Sequence, residues 1–369
     1  MNRTIPKLKV KSSHKKTWRI KMNLFRSPKN PIIKPEDVKP SRPDFKVVCA
    51  FNCGVIRFKG DVLLLIRVAE IPVNNNCEIE LVPVFDPDKN ELVVLKFDKT
   101  DKSIDFSDSR FVRTETEQYL TSISHFRIAR SKNGIDFTID EKPAMTPANV
   151  YEKFGIEDPR ITFIDGKYYI NYSAISNITG VTTCLASTED FVNFTRHGVI
   201  FTPDNKDIAI FPEKINGKYY AFNRPSSTEY KTRDMWISES PDIICWGNHK
   251  ILMSSRNGYW DDGRIGCSAV PFRTDKGWLE IYHGASKDHK YCLGAALLDI
   301  NDPTVVLARS EEALMMPVED YEVYGFFGNV IFNCGVLYED GLVKIYYGAA
   351  DTCIGYAEIK IEEIFSTLK

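Results

Sequence analysis

A chain of 369 residues that is 43% hydrophobic and 12% aromatic can bury a large core, and a formal charge of −2 gives no reason to expect a nucleic acid partner. No apolar run approaches the roughly 20 residues of a membrane span, so no membrane partner is expected either.

The first element, residues 1–45, reads as a basic arm: positions 1–34 carry eleven Lys or Arg, and no acid precedes Glu36. It lacks the continuous apolar core of a secretory signal. Such an arm suits a solvated tail or a strap across a neighbouring subunit in a homo-oligomer; a membrane or nucleic-acid patch is the alternative.

Beyond it one phrase recurs five times: an apolar run, a tight turn built on Gly, and a second run rich in Tyr, Phe and Leu. The copies are Asn52 to Glu70, Glu157 to Ala174, Phe211 to Pro225, Gly266 to Ala285 and Asn333 to Ala350. Turns at Asp165-Gly166, Asn216-Gly217 and Asp340-Gly341 supply the positive φ angles of a two-residue hairpin, with Lys59-Gly60 and Lys276-Gly277 as weaker versions. After the first gap the turn glycines lie roughly 50 to 65 positions apart, close to the four-stranded blade of a propeller. Outer-strand phrases follow several hairpins, at Phe126 to Thr138, Cys184 to Thr195 and Met235 to Trp246. The sequence therefore predicts an all-β fold, a single five-bladed β-propeller over 46–369, rather than a β-sandwich. The interval Ile71 to Tyr151 has room for outer strands plus an insertion.

The nine cysteines are scattered without a CxxC pair, mostly inside apolar runs, which fits a reduced cytoplasm. The six histidines show no HxxxH or HxH spacing, so no metal is expected.

In a propeller the innermost strands line the axis, and equivalent strand ends converge on one funnel. Those ends are polar here: Asn52, Arg67 and Glu70; Glu157, Asp158 and Arg160; Asn205, Lys206, Asp207, Asn223 and Arg224; Asp261, Asp262, Arg264 and His283; Asp351. Acids among several bases suit an anionic reactant beside a proton donor. Cleavage of a glycosidic bond is one such case, since it needs a general acid on the leaving oxygen and a nucleophile at the anomeric carbon. Attack by water requires a second carboxylate as base; attack by inorganic phosphate requires a cluster of Arg, Lys and His. Each charge taken singly also fits a hairpin cap or a pair between blades.

Four ordered phrases carry a resemblance: GIEDPRITFIDGKYYINYSA, NKDIAIFPEKINGKYYAFNRP, WDDGRIG with its later IYHG, and YYGAADT. They resemble the signature segments of glycoside hydrolase family 130, the β-mannoside phosphorylase family, over roughly Asn52 to Thr352. The resemblance implies a five-bladed propeller and inverting phosphorolysis of a β-1,4- or β-1,2-linked mannoside to α-mannose 1-phosphate. It implies no cofactor: inorganic phosphate is the co-substrate and a manno-oligosaccharide or mannosyl-sugar the substrate. Asp158 of the EDPR phrase is then the sole catalytic acid, acting through a substrate hydroxyl. The family's phosphate ligands fall on Arg224, Arg264, His283 and Tyr291, with Lys206 where another base is common. Its mannose ligands fall on Asn52, Arg67 and Asp351. Two positions depart from the pattern. Arg264 stands where Lys is commoner, keeping the charge but replacing a point charge with a fork, and Cys53 stands where a small hydroxyl residue or proline is usual.

Some members of the family are inverting β-1,2-mannosidases that exchange part of the basic cluster for carboxylates. Asp207, Asp261 and Asp262 are the residues here that could hold a hydrolytic water. A sugar-binding propeller without turnover is the alternative from a different class. Choice of the leaving sugar is expected to depend on the loops Ile71 to Asn76 and Glu115 to Ser122.

Overall fold

The computed structural model describes residues 23–369 apart from 228 and 231, so positions 1–22 of the basic arm lie outside the described residues. At Lys59-Gly60, Asp165-Gly166, Asn216-Gly217 and Asp340-Gly341 both turn residues have positive φ, the backbone that reverses a hairpin in two residues. Lys276-Gly277 differs. Thr274 pairs with Gly277, so the loop is Asp275-Lys276 and Gly277 opens the next strand. Glycine is required there by crowding, because a Cβ would stand 2.2 Å from the Leu298 carbonyl oxygen.

Each hairpin extends into a four-stranded antiparallel meander, and five of these make the propeller. The innermost strands, taken as blades 1 to 5, are Phe45–Phe58, Ile156–Ile164, Asn205–Ile210, Arg264–Cys267 and Ile331–Glu339. Apolar clusters fill all the blade interfaces: Leu65 with Ile161, Ile164 with Ile208, Phe222 with Trp278, Ile281 with Ile345, and Tyr346 with Ile66. The ring is closed by the N-terminal segment. Phe25 and Arg26, in the stretch expected to be an arm, form the outermost strand of blade 5 opposite Glu358 and Ala357.

Three blades share a buried polar staple. An acid ahead of the blade accepts from a second-strand tyrosine and from an arginine on the outermost strand. In blade 2 it is Glu152, with Tyr172 at 2.7 Å and Arg196 at 2.6 Å. In blade 4 it is Asp261, with Tyr282 at 3.0 Å and Arg309 at 2.7 Å. In blade 5 it is Glu322, with Tyr347 and Arg26 both at 2.8 Å. Each carboxylate is fully buried and satisfied, so each staple ties inner to outer strands. Arg26 thus locks the closing strand.

The interval after Ile71 contains two extra hairpins, Ile79–Asp86 with Glu91–Asp98 and Phe111–Arg113 with Gln118–Leu120. Val82, Val84, Val112 and Tyr119 pack them on Phe154, at the start of blade 2.

Candidate active site

The innermost strands of blades 1, 2 and 3 each carry one extra residue against their partner strand, between Phe51 and Gly54, Glu157 and Arg160, and Lys206 and Ala209. At these bulges Asn52, Asp158 and Asp207 have φ of 44°, 51° and 55°. Asn and Asp tolerate the left-handed region better than other side-chain-bearing residues, and a bulge re-aims the side chain it carries. One local device, repeated by the fold, therefore sets three polar side chains at equivalent places around the axis.

The first group gathers around Arg67. Its Nη1 donates to Asp158 Oδ1 at 3.0 Å, its Nη2 to Glu157 Oε1 at 2.6 Å, and its Nε to Ser124 at 3.2 Å. Phe51 lies under the guanidinium, 4.5 Å from ring centroid to Cζ. Asn52 Nδ2 donates to the same Asp158 oxygen at 2.9 Å, while Asn52 Oδ1 is buried without a partner. Burial pushes the Asp158 carboxyl up, but Arg67, Arg160, the Asn52 bond and Lys206 outweigh it, leaving it below the ordinary aspartate range. Asp351 takes the opposite course: burial pushes it up to about 7 against the pull of Arg67, with Asp158 and Glu157 repelling its charge. Burial also raises Glu157.

The second group lies on blades 3 and 4. Arg224 Nε is 3.1 Å from Asp207 Oδ2, and the same oxygen is 3.4 Å from His283 Nε2. Arg160 Nη2 is 3.5 Å from the other oxygen. His283 is fully buried, its Nδ1 is 3.1 Å from Ser268 Oγ, and burial holds the imidazole below its usual range. The Tyr291 ring stacks on His283 at 6.1 Å between centroids, and the Arg264 guanidinium lies 5.6 Å from that tyrosine ring. Arg264 Nη2 faces His289 Nδ1 at 3.2 Å, and its Nε is buried without a partner. Burial lowers the proton affinity of Arg264, and the nearby charges of Arg233 and Arg224 lower it further. Guanidinium groups are thus concentrated here around the Asp207 carboxylate.

Lys206 lies between the groups. It is opposite Arg224 in the strand register, and its charge acts on Glu157, Asp158 and Asp351. Asn52, Arg67, Asp158, Lys206 and Asp351 therefore form one set, while Arg224, Arg264, His283 and Tyr291 form the adjoining one. Asp261 and Asp262 join neither: Asp261 holds Arg256 at 2.8 Å as well as its staple partners, and Asp262 faces Lys287 at 3.6 Å. Sequence reasoning passed over Ser124, Arg233, Ser268 and His289, which lie in loops or on outer strands where no periodicity marks them.

Beside Glu157 a cavity of about 540 Å³ opens beneath the insertion, lined among others by Phe111, Gln118, Tyr119, Asn177 and Val181. A recess of about 670 Å³ elsewhere, at Arg273, Lys276, Tyr338 and Phe365, contains none of the residues above.

Comparison with known proteins gives this constellation a context. A family profile described as beta-1,4-mannooligosaccharide phosphorylase matches residues 109–369. A beta-1,2-mannobiose phosphorylase of Listeria innocua is 48% identical over 352 residues, 94% of this chain and 99% of that protein. Its structure with beta-1,2-mannobiose superposes with a TM-score of 0.90 over 94% of this chain and 99% of that one. A 1,2-beta-oligomannan phosphorylase of Thermoanaerobacter is 38% identical over 67% of this chain and 82% of its own length. Similarity of this extent, over a propeller of the same architecture, establishes that the chain belongs to glycoside hydrolase family 130, the family of mannoside phosphorylases.

Proposed function

We propose that this protein catalyses the inverting phosphorolysis of β-1,2-mannobiose or short β-1,2-linked manno-oligosaccharides, releasing α-mannose 1-phosphate. The observation that carries the reading is the excess of guanidinium charge around Arg224, Arg264 and Arg233, with a buried, unpartnered Arg264 Nε among them. A neutral sugar offers no reason to assemble such charge; a phosphate dianion does. In this reading Lys206, Arg224, Arg264, His283 and Tyr291 surround the phosphate. Asn52, Arg67 and Asp351 hold the mannosyl residue, and Asp158 is the catalytic acid. The cavity beside Glu157 seats the leaving sugar, and Glu117 to Leu120 among its walls tune which sugar fits. The β-1,2 linkage follows the names of the relatives from Listeria and Thermoanaerobacter.

Hydrogen phosphate carries the proton the reaction needs. Its anionic oxygen bonds to the anomeric carbon from the face opposite the leaving group, as the glycosidic C–O bond breaks and configuration inverts. Asp158 passes a proton, through a hydroxyl of the mannosyl residue, to the leaving oxygen; the P–OH proton restores it. No second carboxylate is required. Asp158 is held ionised by Arg67 and Asn52, and substrate hydroxyls competing for those two donors raise its proton affinity when the sugar binds. Hydrolysis is disfavoured because the acids that could position a water are engaged: Asp207 between Arg224 and His283, Asp261 in its staple, Asp262 at Lys287. The nine free cysteines, seven of them buried, suit a reducing cytoplasm.

The test is product analysis with β-1,2-mannobiose, with and without phosphate. Mannose 1-phosphate should form only with phosphate; equal release of mannose in phosphate-free buffer would transfer the assignment to a mannosidase.

A further inference from the structure

We propose that Asp207 is a positioning residue of the phosphate site, whose carboxylate holds the Arg224 guanidinium and the His283 ring in the orientation that receives the anion. The inference rests on the phosphorolysis reading and assigns a task to an acid which that reading leaves idle.

A carboxylate beside a phosphate site repels the substrate, so its presence calls for a compensating role. Asp207 is 2% exposed, and its side chain faces Arg160, Arg224 and His283, which leaves no open side for a nucleophilic water. Burial alone would neutralise it. The three neighbours reverse that effect and keep it ionised, well below the usual carboxylate range. Its Oδ2 lies 3.1 Å from Nε of Arg224 as a close ion pair without hydrogen-bond alignment, which leaves the two Nη groups at the far end of the fork, one of them 3.5 Å from His283 Nε2. Arginine binds phosphate through paired N–H groups in one plane, so the orientation of that plane determines whether both bonds form.

The surroundings are shaped to admit this contact. The bulge at Lys206 to Ala209 and the positive φ of Asp207 aim the carboxylate inward. Within blade 4 the residue opposite His283 is Gly266, which faces Asp207 of blade 3; a Cβ there would stand 2.6 Å from Asp207 Oδ2 and 2.7 Å from His283 Cε1. Any side chain there would push the acid and the imidazole apart. From behind, Ser268 Oγ meets His283 Nδ1, and the Ser268 backbone N–H donates to Glu280 at 3.0 Å. Asn205 Oδ1 accepts from the Arg224 backbone N–H at 3.0 Å. Backbone and side-chain partners on both blades therefore converge on one geometry for Arg224 and His283.

The experiment compares Asp207→Asn and Gly266→Ala with the wild type in initial rates at varied phosphate and varied β-1,2-mannobiose, with melting temperatures recorded alongside. Asp207→Asn should raise the phosphate KM by about tenfold or more while the mannobiose KM stays within about threefold, as loss of the buried ion pair that sets the guanidinium plane would do. Gly266→Ala should show the same split with the carboxylate still present. A purely structural role would instead lower the melting temperature and leave both KM values of the folded enzyme unchanged. A phosphate-dependent wild type whose Asp207→Asn variant keeps its phosphate KM, or loses affinity for both substrates equally, overturns the inference but not the phosphorolysis reading. If Asp207→Asn does not fold, Gly266→Ala decides, and an unchanged phosphate KM there overturns the inference. A wild type that releases mannose equally fast without phosphate overturns both.

Discussion

Arg67 Nη1 donates to Asp158 Oδ1 at 3.0 Å, and Arg67 is in turn held by Glu157 at 2.6 Å, so the proposed acid is tied to a guanidinium that has a second carboxylate of its own. Removing the charge of Asp158 consequently leaves no unpaired arginine behind. Asp158→Asn should fold with a melting temperature near that of the wild type and lose about 10²- to 10⁴-fold in kcat, the usual contribution of a general acid. A variant within about threefold of wild type would show the acid to be another residue, because so small a loss is well under 1 kcal/mol of transition-state stabilisation.

Asp351 bears on pH. Its half-buried carboxyl, close to the charges of Asp158 and Glu157, is pushed up by desolvation to about 7 from an ordinary value of 3.8. A carboxyl raised in the folded state favours folding while it is protonated there, and that contribution fades once the unfolded chain ionises more readily than the folded one. Stability should accordingly fall as pH rises from about 4 through about 7, and the Asp351→Asn variant should show a flatter profile across that window. Asp158 and Asp207 shift downward and act below the ordinary aspartate value, while the raised Glu157 and the lowered His283 are common to both proteins, so the difference between the two profiles isolates Asp351. Melting curves at half-unit pH steps decide it; parallel profiles for the two proteins would contradict the placement of Asp351.

Asp261 separates structure from catalysis. It is fully buried and holds Arg256, Arg309 and the Tyr282 hydroxyl. Asp261→Ala leaves two half-buried arginines without their carboxylate but with their carbonyl partners, so the cost should fall below the roughly 3–5 kcal/mol of a fully buried broken pair. Denaturant titration should report that loss, while the enzyme that remains folded keeps its KM for phosphate and for the mannoside. Unchanged stability with abolished turnover would return Asp261 to the chemistry.

The blades were legible because Asp-Gly and Asn-Gly turns impose positive φ locally, so a few residues suffice to read a hairpin and its spacing. The misread turn at Lys276-Gly277 shows the limit: Gly277 answers to Leu298, twenty-one positions away in the chain, and no local signal encodes that approach. Phe25 and Arg26 were hidden for a related reason. A two-residue strand has no periodicity, and its identity comes from Glu358 and Ala357 at the other end of the chain. Within the site, Asp207, Asp261 and Asp262 are equivalent as letters. Their partners, Arg224 and His283, Arg309 and Tyr282, and Lys287, distinguish them, and those pairings exist only after the blades close.

Gly348 offers the sharpest check on the sugar side. It faces blade 1, where an added Cβ would stand 2.1 Å from Asn52 Oδ1 and 3.0 Å from the Asn52 backbone nitrogen. Asn52 cannot retreat without breaking its 2.9 Å bond to Asp158, and its Oδ1 is buried without a partner. Gly348→Ala should therefore reproduce Asn52→Ala: kcat/KM lower by about 10- to 100-fold, the range expected for loss of the Asn52 hydrogen bond to the charged Asp158 carboxylate. Because both substitutions remove the same contact, the double variant should be little worse than either single one. The measurement is a double-mutant cycle on kcat/KM with β-1,2-mannobiose. Strictly additive losses would mean that Gly348 and Asn52 act through separate contacts, and wild-type kinetics for Gly348→Ala would mean that blade 5 does not press on Asn52 as the 2.1 Å approach requires.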